Sequence, residues 1–103
     1  ASAVYFIREK DYNNEQILSE CRKVEDEKFQ NICVGANGYR IAQFRSGVEA
    51  VAFCEQGGIS TKEKDNCFRE LINSFLKNYS KEERDDLCVL LNQSYQSDCD
   101  SLR

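Results

Sequence analysis

The stretch STKEKDNCFRELINSFLKNY, residues 60–79, decides the fold class of this chain. Ser60 followed by Glu63 matches a capping box, in which the two residues satisfy each other's free backbone N–H groups at a helix start. The apolar residues that follow recur at the spacing that places them along one helix face. They are Cys67, Phe68, Leu71, Ile72, Phe75, Leu76 and Tyr79. The stretch therefore predicts a long amphipathic helix near 61–79, with this stripe in the core.

The same signals recur along the chain with a period of 33 to 34 residues. The cysteines lie at positions 21, 33, 54, 67, 88 and 99, so short steps of 11 to 13 residues alternate with steps of 21. A helix-start residue lies seven or eight positions before each cysteine. These residues are Asn13, Asp26, Ser46, Ser60, Ser80 and Asn92, and Gln16, Glu49, Glu63 and Glu83 supply box partners. Two signals in one register indicate an internal repeat.

The repeat predicts an all-α fold, an array of short helical hairpins (αα) with a period of about 33 residues, stapled by three disulfides. Long helices are expected near 27–45, 61–79 and, truncated, 93–102. Short helices are expected near 14–23, 47–55 and 81–91. Residues 2–12 match the end of a further long helix. The absence of proline suits continuous helices.

The length suits a single domain over 1–103. The repeat divides it into a half-repeat (1–25), a unit (26–59), a second unit (60–91) and a partial unit (92–103). A looser apolar stripe in the helix near 27–45 is expected to join the core. Its members are Phe29, Ile32, Cys33, Ala36, Ile41 and Phe44.

Two disulfide arrangements agree with the repeat. The first joins each short-helix cysteine to the next cysteine along the chain: Cys21–Cys33, Cys54–Cys67 and Cys88–Cys99. The second joins Cys33–Cys54 and Cys67–Cys88, and leaves Cys21 and Cys99 over. The first is favoured because it uses all six cysteines and treats every unit alike. Each of its bridges closes a short loop and contributes about 3 kcal/mol in the chain-entropy treatment.

Six cysteines in 103 residues indicate an oxidising location. The protein is therefore expected to be secreted, extracellular or periplasmic. The absence of methionine means that the chain does not begin at a translation start. Removal of a signal peptide explains this, with Ala1, Ser2 and Ala3 as the residue of cleavage, but a cloning remnant explains the same letters.

The composition excludes several classes of function. The net charge is −4, with 18 acidic against 14 basic residues, so no nucleic-acid partner is expected. No apolar run approaches the roughly 18 residues of a membrane span. Histidine is absent, which excludes Ser-His-Asp and Cys-His catalysis and imidazole metal ligation. No phosphate-binding or calcium loop is present. The chain is expected not to be an enzyme, with no catalytic residue, metal or cofactor.

One segment departs from good helix-forming sequence. Residues 34–40 read VGANGYR, with Gly35 and Gly38 in a helix interior, where each costs about 1 kcal/mol. The structural interpretation is close packing by a neighbouring helix, or a kink. The functional interpretation is that Asn37, Tyr39 and Arg40 are presented to a partner, because Tyr and Arg are favoured interface anchors.

The triplets Asn78-Tyr79-Ser80 and Asn92-Gln93-Ser94 match the N-glycosylation acceptor pattern. Ser80 and Asn92 also sit at predicted helix starts. Helix capping is the preferred explanation of both.

The period and the paired helices resemble the αα-repeat class, of which tetratricopeptide repeats are the familiar case. The Trp, Gly, Tyr and Pro pattern of that family is absent, so its peptide-binding residues are not transferred to this chain. The resemblance implies a binding module for a protein or peptide partner. A secreted effector, toxin or enzyme inhibitor is the first alternative. A carrier of a small apolar ligand is the second, although the cysteine spacing differs from that of insect odorant-binding proteins.

Overall fold

A computed structural model describes the backbone of residues 13–101 and the side chains of residues 13–99. The described residues form helices only, without a strand, and the expectation of an all-α fold is confirmed. In chain order these helices are α1 (Asn14–Arg22), α2 (Glu27–Phe44), α3 (Gly47–Cys54), α4 (Thr61–Asn78), α5 (Lys81–Cys88) and α6 (Gln93–Ser101). The helix expected to end within 2–12 lies outside the described residues.

The helices begin where capping residues satisfy their first free N–H groups. Complete capping boxes form between Asn13 and Gln16, between Ser60 and Glu63, and between Ser80 and Glu83. At α3 only half of the predicted box forms. The Ser46 hydroxyl accepts from the Glu49 N–H at 3.0 Å, but the Ser46 N–H donates to the Ile41 carbonyl at 3.1 Å instead of to Glu49.

The predicted helix 81–91 ends three residues early, at Cys88. The Leu90 N–H donates to the Leu87 carbonyl, and the Leu91 N–H to the Cys88 carbonyl, at 3.1 and 3.2 Å. This i to i+3 spacing tightens the chain into a turn after the last helical residue. The turn leads directly to Asn92 and α6.

The two 18-residue helices α2 and α4 lie side by side at the centre of the fold. Near their starts, the Asn66 amide donates to the Asn31 carbonyl at 3.1 Å. Near their ends, the Tyr79 hydroxyl donates to the Ala42 carbonyl at 2.5 Å. The starts of α2 and α4 lie side by side, and so do their ends, so the two helices run parallel. The short helix α3 packs against both, and α1 packs against α2 and α3.

The core is built mainly from the α4 stripe and the neighbouring short helices. Cys67, Phe68, Leu71, Ile72 and Phe75 are each at most 2% exposed, as the stripe predicts, whereas Leu76 and Tyr79 are partly buried. Phe53 of α3 is fully buried with them.

The prediction that the apolar stripe of α2 is buried is wrong for half of its residues. Phe29, Ile32 and Phe44 are 40%, 38% and 70% exposed, and only Cys33 and Ile41 of the stripe are buried. The reason is that α2 is covered on two sides, by α4 and by α1 with α3. Its buried surface is therefore wide and includes small residues. Besides Cys33 and Ile41, the buried positions are Val34, Gly35, Asn37, Gly38 and Ala42.

The six cysteines form the disulfides Cys21–Cys33, Cys54–Cys67 and Cys88–Cys99, with Cα–Cα distances of 5.6, 5.6 and 5.9 Å. These are the pairs of the favoured arrangement. Each one joins a short helix to the helix that follows it. Among the described helices, none has the length and apolar character that crossing a bilayer requires.

Candidate functional site

Asn37, one of the three predicted binding residues, lies in the core at 1% exposure. Its side-chain amide donates to the Cys33 carbonyl at 2.8 Å and lies 3.6 Å from the Sγ atoms of Cys21 and Cys33. Buried amides are satisfied in this way by nearby backbone. The prediction that Asn37 is presented to a partner is therefore wrong, because its side chain packs on the first disulfide.

The glycines on either side of Asn37 have a packing role. A Cβ at Gly35 would lie 2.4 Å from the Asn66 Nδ2, and a Cβ at Gly38 would lie 2.8 Å from the Cys67 Sγ. Real Cβ atoms do not approach so closely, so a side chain at Gly38 would push α4 away, whereas one at Gly35 would displace the end of the Asn66 side chain. The helix continues through both residues. Close packing therefore accounts for the segment, and a kink does not.

Arg40, unlike Asn37, is partly exposed, as is Tyr39. The Arg40 guanidinium lies over the Phe44 ring, 5.4 Å from its centroid. Its Nη1 also donates to the Gln43 Oε1 at 3.2 Å. A guanidinium over an aromatic face is held by the charge distribution of the ring. The geometry thus pairs Arg40 with Phe44, a residue that the sequence placed in the core.

An exposed apolar pair marks the junction of α2 and α3. Phe44 is 70% exposed at the end of α2, and Val48 is 61% exposed in the first turn of α3. We call this place the α2–α3 corner and define it as Arg40, Phe44, Arg45, Val48 and Glu49. Sequence analysis missed Phe44 and Val48. The sequence did carry a signal for them. Phe44 and Val48 flank the helix cap Ser46, where the chain changes direction at the surface.

The α2–α3 corner stands on a firmly held turn. The Ile41 carbonyl accepts from the N–H groups of both Arg45 and Ser46, at 2.9 and 3.1 Å. From α4, the Tyr79 hydroxyl binds the Ala42 carbonyl. Burial of this phenol, together with the nearby charge of Glu83, raises the pKa of Tyr79 further above physiological pH, where a phenol is already a neutral donor. A rigid support lowers the entropy that a binding surface loses on association.

A polar cleft of about 430 Å³ opens beside the corner. It is lined by Asn13, Asn14, Glu15, Arg45 and Glu49. The Asn14 amide donates to the Glu49 carbonyl at 3.2 Å and so ties the start of α1 to α3. The lining offers charges of both signs and amide groups. Such a cleft suits the polar groups of a peptide better than an apolar small molecule.

A second polar cluster, around Arg22, serves the fold. Its guanidinium donates to both Glu63 carboxylate oxygens, at 2.5 and 2.8 Å, and to the Gly58 carbonyl at 2.7 Å. The hydrogen bonds from Arg22, together with those from Ser60, hold the pKa of Glu63 below its usual range. Gly58 has φ of +90°, which glycine adopts without strain. The cluster clamps α1, the α3–α4 loop and α4 together.

Two exposed apolar side chains also occur at the α5–α6 turn, where Val89 is 69% and Leu90 49% exposed. Valine and leucine are under-represented among residues that dominate binding energy, whereas aromatic residues and arginine are enriched. The α2–α3 corner is therefore the better candidate. Within the described residues, no group of three acidic or cysteine side chains is arranged to hold a metal ion.

Comparison of the chain with protein-family models, with curated proteins and with solved structures finds no match.

Proposed function

We propose that this chain is a secreted or periplasmic, disulfide-stabilised helical module that binds a protein or peptide partner through the α2–α3 corner. The observation that carries the proposal is Phe44. Its ring is 70% exposed, lies under the Arg40 guanidinium, and stands on a turn held by hydrogen bonds from both sides. Exposed aromatic side chains on rigid supports are the usual anchors of binding surfaces.

The repeat interpretation supports a binding role. Long helices of 18 residues alternate with short helices of 8 or 9 along the first five elements, and every unit closes with the same kind of disulfide. The parallel neighbours α2 and α4 are what stacked αα units produce. We therefore propose an array with a period of about 33 residues, whose surface is extended by stacking.

The setting is proposed from the disulfides. Three bridges in a small helical domain are typical of proteins that fold in an oxidising compartment. Entry to that compartment requires a signal peptide, which we propose is removed from the mature chain. The short loops that the bridges close oppose unfolding outside the cell.

The side chains at and beside the α2–α3 corner indicate the chemistry of the partner. Phe44 and Val48 offer an apolar contact, while Arg45, Glu15 and Glu49 line the cleft beside it. The fitting partner is a peptide segment with one large apolar side chain flanked by charged groups of both signs. A secreted effector or an enzyme inhibitor would use the same contact. The polar lining of the cleft makes a carrier of apolar ligands the weaker alternative.

The test is selection of peptides from a random displayed library on the disulfide-bonded chain. Binding of the enriched peptides is then measured to the unchanged chain, to Phe44→Ala and to Val89→Ala. Val89 is the matched control because it is 69% exposed, against 70% for Phe44, and lies at the α5–α6 turn. We expect Phe44→Ala to weaken binding at least about tenfold, the loss of roughly 1.4 kcal/mol or more that marks a central anchor.

Val89→Ala is expected to leave binding unchanged. Peptides that bind both variants as well as the unchanged chain would refute the corner as the site, and so would equal losses in both. Each substitution removes an exposed side chain, so the free energy of unfolding should change by no more than about 0.5 kcal/mol. That measurement separates a binding effect from unfolding.

A further inference from the structure

We infer that Asn92 is an N-glycosylation site when the chain passes through a eukaryotic secretory pathway, and that Asn78 is not. The inference rests on the secreted setting of the proposed function and makes no use of the α2–α3 corner. Both residues begin an acceptor triplet, Asn92-Gln93-Ser94 and Asn78-Tyr79-Ser80. The structure separates the two by what each side chain is already bonded to.

The transfer itself uses one atom of the asparagine. A lipid-linked oligosaccharide diphosphate is the donor. The bond between its first sugar carbon and the phosphate oxygen breaks, a bond from that carbon to the asparagine Nδ2 forms, and Nδ2 loses one proton. The lipid diphosphate is the leaving group, and the proton from Nδ2 passes to it or to the solvent. The product amide keeps its Oδ1 as an acceptor and keeps one N–H.

At Asn92, the helix cap uses the side-chain Oδ1, which the transfer reaction leaves unchanged. Its Oδ1 accepts from the Ser94 N–H at 3.0 Å, and its backbone carbonyl accepts from Tyr95 and Gln96 at 2.8 and 3.0 Å. These bonds cap the start of α6. Within residues 13–99, its Nδ2 donates to no acceptor. Asn92, Gln93 and Ser94 are all exposed. Capping and glycosylation are therefore compatible at this residue and are not competing explanations of it.

At Asn78, the side-chain Nδ2, which forms the bond to the sugar in the transfer reaction, is already hydrogen-bonded. Its Nδ2 donates to the carbonyl and to the hydroxyl of Ser74, both at 3.1 Å. An attached sugar replaces one of the two hydrogens of Nδ2, so the two bonds to Ser74 can no longer each have a hydrogen of their own. The rest of the triplet is engaged as well. The Tyr79 hydroxyl binds the Ala42 carbonyl, and the Ser80 hydroxyl accepts from Glu83 in the α5 capping box.

The position of Asn92 gives the glycan a physical consequence. Val89 and Leu90, 69% and 49% exposed, lie three and two residues before it in the same turn. A hydrated oligosaccharide at Asn92 therefore lies beside this exposed apolar pair.

The test is expression of the chain behind a secretory signal in eukaryotic cells, with intact and peptide mass measured before and after treatment with a peptide N-glycosidase. We expect one glycan on the unchanged chain and on Asn78→Gln, and none on Asn92→Gln. Two variants at Ser94 sharpen the result. Ser94→Ala destroys the triplet but keeps the cap, because Ser94 donates to Asn92 through its backbone N–H. Ser94→Thr keeps both.

Ser94→Ala is therefore expected to lose the glycan with its helices intact by circular dichroism, and Ser94→Thr to keep it. Product of the unchanged chain that carries no glycan on Asn92, whether recovered from the medium or from the cells, overturns the inference, as does a glycan on Asn78. Either result leaves the proposed function standing, because peptide binding at the corner is measured separately on Phe44→Ala.

Discussion

The two long helices α2 and α4 match in length and in the position of their cysteines, but they solve different packing problems. α2 and α4 each have 18 residues, and each carries its cysteine, Cys33 or Cys67, in the seventh position. Thirty-four residues apart, Gly38 of α2 corresponds to Ile72 of α4. Gly38 meets the Cys67 disulfide of the neighbouring long helix, whereas Ile72 is 2% exposed and fills space itself.

The difference reflects what each helix packs against. α2 has an 18-residue helix against its glycine side, so small residues are needed there. On α4, Phe68 and Ile72 are themselves at most 2% exposed, and the ring of Tyr95 stacks on Phe68 at 4.3 Å. Positions related by a shift of 34 residues therefore need not carry similar residues.

The largest expected effect comes from Phe75→Ala, which removes a fully buried ring from the α4 stripe. We expect the free energy of unfolding to fall by about 3–5 kcal/mol, as buried phenylalanine truncations do. Chemical denaturation of the disulfide-bonded protein measures it. Phe44→Ala is the matched control, since the same atoms are removed at 70% exposure, and its loss should stay below about 0.5 kcal/mol. A loss under about 1 kcal/mol at Phe75 would contradict the helix register.

Substitution of the α2 glycines separates packing from helix propensity. Gly38→Ala places a Cβ against the Cys67 Sγ and the Cys67 carbonyl, at 2.8 and 3.3 Å, and neither atom is the free end of a side chain. We expect a net loss of about 1–3 kcal/mol from overpacking, in spite of a gain of about 1 kcal/mol in helix propensity.

Gly35→Ala is the comparison for this prediction. Its Cβ meets the end of the Asn66 side chain, which can turn away at the expense of two hydrogen bonds, one to the Asn31 carbonyl and an exposed one from Arg69. The net change in stability should be within about 1 kcal/mol of zero, because the propensity gain offsets the loss of these bonds. If Gly38→Ala stabilises the protein as much as a glycine replacement in an open helix does, the close α2–α4 contact is refuted.

The helix starts also differ, and Glu63→Gln tests that difference. The third residue of α2 is Phe29, whereas the third residue of α4 is Glu63, clamped by Arg22. We expect Glu63→Gln to lower stability at neutral pH by about 1 kcal/mol, a modest value because the Arg22 side chain is 32% exposed.

The pH dependence has a definite sign. Because the pKa of Glu63 is lowered in the folded state, its contribution is complete above the ordinary carboxyl pKa and is lost as the pH falls through the lowered value. The gap between the unchanged protein and Glu63→Gln should therefore close on acidification. Glu83→Gln is the comparison, since Glu83 forms a similar box at the exposed start of α5 and hydrogen bonds from Ser80 lower the pKa of Glu83 as well, so its gap should close in the same direction. If the difference in stability between the unchanged protein and Glu63→Gln did not change with pH, the Arg22–Glu63 ion pair would be contradicted.

The smallest effect is expected at Tyr95, which joins α6 to the outer side of α4. Burial, followed by its hydrogen bond to the Asp65 carboxylate, raises the pKa of Tyr95 to about 12. The folded phenol stays neutral while the unfolded one ionises near pH 10, so stability is lost as the pH rises from about 10 through 12.

Tyr95→Phe should remove this alkaline loss and change stability at neutral pH by no more than about 1 kcal/mol. Ultraviolet titration of the phenols checks the pKa. Asp65→Asn should lower the pKa of Tyr95, because it removes the nearby negative charge. An unchanged titration in Asp65→Asn would show that the Tyr95–Asp65 bond does not form.

Local signals predicted the helices well. Caps such as Ser60 and the spacing of Phe68, Leu71 and Phe75 placed α4 within one residue at its end. Both act over a turn or two of backbone, so a linear sequence displays them. The early end of α5 at Cys88 was missed, because the turn that ends it carries apolar residues that also suit a helix.

The candidate site was predicted only in part. Arg40 was named, but Asn37 was placed at the surface and Phe44 in the core, and the structure reverses both. Periodicity gives the direction of a side chain around its own helix. It does not say which of those directions faces another helix.

The sequence by itself determined that the chain is helical, where its helices begin, and which disulfide arrangement treats the units alike. Only the tertiary structure decided which faces of α2 are covered, why Gly35 and Gly38 stand in a helix, and which atom of Asn92 makes the cap. The physical reason is the distance along the sequence over which each interaction acts. Capping and periodicity are satisfied within one helix, whereas burial depends on helices that are distant in sequence, such as α2 and α4 with Asn66 bonded to Asn31 across 35 residues.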